Sequence, residues 1–200
     1  MIVKTQHNTG ILSKFNSGPA IASTIIEHYG KGSKESSVKS LRDSSDKYLH
    51  WNVGDVEYAL SRENITTDKA NGDESLGEHI QIGTLSPDDF SKDRISEVIE
   101  RGKMVLVNIN MWDLPKLKPY NEICYKGDFH KIGRNYDINN AIYIYNVFCQ
   151  SPNHFLLIKD SMGYYVSVYD TYLTEPRESI YFVGDIIKSV RRSKAISLII

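Results

Sequence analysis

Two hundred residues, 40% hydrophobic and 24% charged, suffice for one domain with a substantial core and have an ordinary globular composition. A net charge of −1 excludes the strong basic field of a nucleic-acid-binding face, and no run of about 18 apolar residues is present to cross a membrane as a helix. The two cysteines, Cys124 and Cys149, are too few for a disulfide framework, and the histidines do not cluster at ligand spacings; no metal and no other cofactor is expected.

The start, Met1-Ile2-Val3-Lys4, lacks the apolar region and small-residue cleavage site of a signal peptide. A cytoplasmic protein is expected, or one delivered by a dedicated secretion system. The first strong element runs from Asn16 to Gly30. Ser17 suits an N-cap and Pro19 a first helical position. Ile21, Ala22, Ile25, Ile26 and Tyr29 form an apolar stripe, and Gly30 is a stop signal. Gly18 permits close approach of another part of the chain. A small residue at such a helix start is chemically suggestive, because unpaired N–H groups and the positive dipole end favour a thiolate and stabilise an oxyanion. Beyond it, the stretches Gly30 to Ser45 and Asn71 to Asp93 are rich in Ser, Gly, Asp and Lys. They read as surface connections flanking helices near Val53 to Arg62 and Lys92 to Arg101.

Lys103 to Asn110 reads as the first core strand and Ala141 to Phe148 as the second, with His154, Tyr164 and Ala195 opening three more. Between the first two, Trp112 to Asn140 is long for a connection, and reads as an irregular excursion over the sheet or a substrate-binding loop. His154 to Lys159 forms a strand with histidine at its start, Asp160 to Gly163 a turn, and Tyr164 to Asp170 the return. His154 and Asp170 then lie about seven residues on either side of the turn and within reach across the ladder. A carboxylate there holds an imidazole in one tautomer and supports its charged form. Lys188 to Lys194 is basic and precedes the apolar Ala195 to Ile200, which reads as a terminal strand entering the sheet. Helices first and an antiparallel sheet afterwards describe an α+β domain.

Ser17-Gly18-Pro19-Ala20, the pair Tyr29-Gly30, the strand-initial His154 and Asp170 one hairpin later resemble the C39-like branch of the papain fold. Members of that family carry a Cys-Gly-Pro-Ala-type motif opening a helix, a His-initiated strand and an Asp on the next strand. The layout is similar over roughly residues 6 to 170, while the motifs themselves occupy two short stretches. The resemblance implies a single C39-like domain over residues 1–200, its N-terminal helices packed on a C-terminal antiparallel sheet. It also implies a cysteine protease-like hydrolase with a peptide or protein substrate. Ser17 takes the place of the nucleophile, His154 that of the base and Asp170 that of the orienting acid, with Gln6 as the oxyanion side chain. Proteolysis, side-chain amide hydrolysis and acyl transfer share a tetrahedral intermediate and stay open. The chain's size is similar to that of bacterial effector and toxin enzymes of this fold.

Two departures stand out. Gln6 lies 11 residues upstream of Ser17, against about half a dozen in papain-like enzymes generally, so Asn8 or Asn16 is an alternative amide. The nucleophile position itself holds serine. Three origins fit: an engineered Cys-to-Ser exchange that silences the site, a natural serine enzyme, or a catalytically dead relative that binds a peptide or protein partner. A site built for sulfur works poorly with oxygen, because serine must lose its proton in the transition state. Cys149, five residues before His154, is a second candidate thiol without a helix start. A structural α+β domain with a fortuitous match is the remaining possibility.

Overall fold

Core strands buried on both faces need a layer of helices on each side, and the residues of this chain supply two. The computed structural model describes residue 4 and residues 16–45, 51–67, 80–110, 153–171 and 178–200. In chain order these form α1 (Ser17–His28), α2 (Val38–Asp43), α3 (Val53–Ser61), β1 (Ile65–Thr67), β2 (Ile80–Leu85), α4 (Lys92–Glu100) and β3 (Val105–Asn110). There follow β4 (Asn153–Met162), β5 (Tyr165–Asp170), β6 (Glu178–Phe182), α5 (Val183–Ser193) and β7 (Ser197–Ile199). The strands join in one sheet, ordered β1-β2-β7-β3-β4-β5-β6. Every pair is antiparallel except β1 with β2.

The α+β class follows directly from this architecture. Its arrangement differs from the expected one in two respects: the sheet is mixed, and α4 and α5 fall between strands in the chain. Phe155, Leu157, Leu106 and Leu198 pack with α1, α2 and α3 on one face. Leu156, Ile158, Val107, Val166 and Val168 pack with α4 and α5 on the other.

Several local expectations change. Ser17 is the first helical residue and Asn16 holds the N-cap place, with no side-chain capping bond. Pro19 therefore lies third in the helix, still inside the first turn, where its missing N–H costs no helical bond. Gly30 closes α1 at φ +69°, a left-handed conformation that glycine adopts without strain. The stretch after it contains α2, started by Ser37, whose side chain accepts from the Ser40 N–H. The Asn71 to Asp93 stretch contains β2, and the basic Lys188 to Lys194 run lies in α5 and its left-handed cap, Lys194. Lys103 to Asn110 yields β3 at the sheet centre, third in chain order and not first.

Strand β4 runs on to Met162, so the hairpin turn is Gly163-Tyr164, with Gly163 at φ +68°. A bulge at Lys159 shifts the register between Ile158 and Asp160. The expected strand at Ala141 to Phe148, the Trp112 to Asn140 segment and both cysteines lie outside the described residues.

Candidate active site

The hairpin register decides where the imidazole and the carboxylate meet. Leu156 stands directly opposite Asp170, and His154, two residues earlier on the same strand, is a diagonal neighbour on the same face. Nε2 of His154 and Oδ1 of Asp170 are 2.6 Å apart, with the residues 2% and 1% exposed. An ionised carboxylate only accepts, so the hydrogen in this bond sits on Nε2, and in the neutral ring the lone pair is on Nδ1. Oδ2 of Asp170 accepts from the Tyr181 hydroxyl at 3.3 Å. Tyr181 is itself buried and reaches the site from β6, which pairs with β5. Burial, then the Asp170 charge, pushes the Tyr181 phenol far above its ordinary range, so its hydroxyl stays a donor.

The other half of the site is the start of α1. Ser17 is buried there, and Trp51 lies so close to Gly18 that a methyl group would overlap Cβ of Trp51. Asn16 is fully buried, its Oδ1 accepting from Arg42 Nε at 2.6 Å. Burial pushes the Arg42 guanidinium down to about 10, against the opposing charge of Asp55. This bond holds the Asn16 side chain beside the start of α1 through its carbonyl oxygen. Asn8 and Gln6 lie outside the described residues.

Helix α1 packs along β4. Its C-terminal end lies near the start of β3, since His28 feels the charge of Lys103. A 12-residue helix rises about 18 Å, close to the ~20 Å of the six-residue β3. Ser17 therefore falls toward the opposite end of the sheet, where β3 finishes at Asn110 and β4 starts at Asn153. His154 and Asp170 stand at that same end. The faces differ, however: Phe155 and Leu157 meet the α1 layer, whereas His154 alternates with Leu156 and Ile158. No hydrogen bond joins Ser17 to His154 in the structure described.

Three residues near these groups escaped sequence reasoning. Arg42 lay in a Ser- and Lys-rich run without a pattern of its own. Tyr181 belonged to a short strand, Glu178–Phe182, whose only signal was the brief apolar run Ile180-Tyr181-Phe182. Asn108 lies on the same face as Leu106, opposite Phe155, and its buried Oδ1 has no hydrogen-bond partner. A cavity of about 240 Å³ opens beside Trp51, lined also by Leu41, Asp55, Tyr58 and Arg62. A larger one, about 610 Å³, adjoins Glu27 and Gly30 at the far end of α1 from Ser17. Among the described residues no cluster of three His, Cys, Asp or Glu could hold a metal, and no helix is long and apolar enough to cross a membrane. In comparisons with protein families, curated proteins and solved structures, none matches this chain.

Proposed function

We propose that this chain is a papain-like, C39-like hydrolase scaffold for the carbonyl of a peptide or protein, with serine at the nucleophile position. The observation that carries the reading is the buried His154–Asp170 bond. Burying an imidazole against a carboxylate is costly unless each is satisfied by the other, and the resulting pair is the base and orienter that a weak nucleophile requires.

In this mechanism the side chain at position 17 attacks the carbonyl carbon and its proton passes to Nδ1 of His154. Asp170 steadies the imidazolium through Nε2. The backbone N–H groups at the start of α1, with Gln6, hold the oxyanion. The proton returns to the leaving amine as the acyl bond to nitrogen breaks. A water, deprotonated by His154, then releases the acid. Serine makes the first step slow in a site shaped for thiolate, so a Ser17→Cys protein is the active form to assay. The substrate is a peptide or protein of the cell in which the chain works, be that its own cytoplasm or one reached through a dedicated secretion system.

The opposite sheet faces on which α1 and His154 lie favour a second reading, a binding module that holds a peptide in the cleft without cutting it. Peptidyl vinyl sulfones separate the two. The hydrolase reading expects a covalent adduct at position 17 of the Ser17→Cys protein, located by peptide mass spectrometry and abolished by His154→Ala. Equal, reversible peptide binding by both forms with no adduct would instead establish the binding module.

A further inference from the structure

We propose that Tyr181 is a positioning residue for the candidate base, its hydroxyl holding Oδ2 of Asp170 so that Oδ1 stays aligned on Nε2 of His154. The inference rests on the hydrolase reading and adds a fourth residue to its site. A carboxylate has two oxygens and turns about its terminal torsion at little cost. One bond to an imidazole fixes its position but not its rotation. In this site the second oxygen is held by Tyr181, from the strand on the other side of β5.

Three observations support a positioning role over plain packing. The Tyr181 ring belongs to the same apolar cluster as Val166 and Val168, so the strand pairing places the phenol on the Asp170 face. Its hydroxyl is buried and would be costly to leave without a partner, and it meets the carboxylate. Its ionisation is suppressed by burial and by the Asp170 charge, so it remains a donor wherever the imidazole titrates. The consequence is a single tautomer: with Asp170 clamped, the neutral His154 ring keeps its proton on Nε2 and presents the Nδ1 lone pair.

The test is nitrogen-15 and proton NMR of the full chain labelled at histidine, with the His154 signals assigned by their loss in His154→Gln. The intact protein is expected to show a protonated Nε2, an unprotonated Nδ1 and a downfield Nε2 proton protected from exchange. In Tyr181→Phe that proton should exchange about tenfold faster, as the loss of one hydrogen bond to a charged group implies, and both tautomers should appear. Tyr165→Phe, which removes an exposed hydroxyl from the same sheet, should leave the signals unchanged. An unaltered single tautomer and exchange rate in Tyr181→Phe would overturn the proposal, as would an Nδ1-protonated ring in the intact protein. The readout does not involve position 17. An unreactive thiol in Ser17→Cys therefore counts against the hydrolase alone, and an unmoved imidazole in Tyr181→Phe against the clamp alone.

Discussion

Trp51 leaves no room for a side chain at position 18, which gives Gly18 a packing reason independent of catalysis. Gly18→Ala should cost about 1–3 kcal/mol, the usual penalty of overpacking, read as a lower urea midpoint at unchanged slope. An unmoved midpoint would mean that Trp51 yields freely. His154 and Asp170 were legible because strand alternation and the turn signal around Gly163 fix their spacing to within the reach of two side chains. Their partners were not. Tyr181 meets Asp170 only because β6 pairs with β5, and Arg42 meets Asn16 across 26 residues of chain. Local sequence specifies neither encounter. Ser17 was misread as a cap because serine commonly caps helices, while the buried Asn16–Arg42 bond holds the residue before it in place.

The elements with the clearest sequence signals are those with a long pattern or a cap: α1, α3 and α4, and the β4–β5 hairpin. Asn52 and Asp55 form a reciprocal capping box that starts α3, and Ser91 caps α4. Strand β1 has three residues and β2 is interrupted by Gly83, too little period to read. Helix α5 hid behind its charge. Val183, Ile186 and Val190 face the core while Lys188 lies among them and Arg191 and Arg192 follow, which made the stretch look like a basic tail. Strand β7 was expected at the sheet, yet its place between β2 and β3 could not be read locally. It joins the two halves of the sheet, so Leu198→Ala, fully buried among residues of both halves, should cost about 2–5 kcal/mol in urea unfolding. A loss well under 1 kcal/mol would indicate that β7 is dispensable.

Across the whole molecule, a helix near the start of the chain packs against a strand from its last quarter, and the length of that helix argues that both begin at the same end of the sheet. That juxtaposition is the physical basis of the functional reading, since only it can bring position 17 and His154 into one reaction. The resemblance to the C39-like family suggested the meeting, and the described residues supply the His154–Asp170 bond in its favour. Against it stand the opposite faces on which α1 and His154 lie. The direct measurement is the iodoacetamide alkylation rate of the Ser17→Cys protein at neutral pH, with Cys124 and Cys149 followed separately by peptide mass spectrometry. The account predicts a thiol at position 17 that reacts well above the rate of a free cysteine and slows by about a hundredfold or more in His154→Ala. A slow thiol, indifferent to His154, would contradict it.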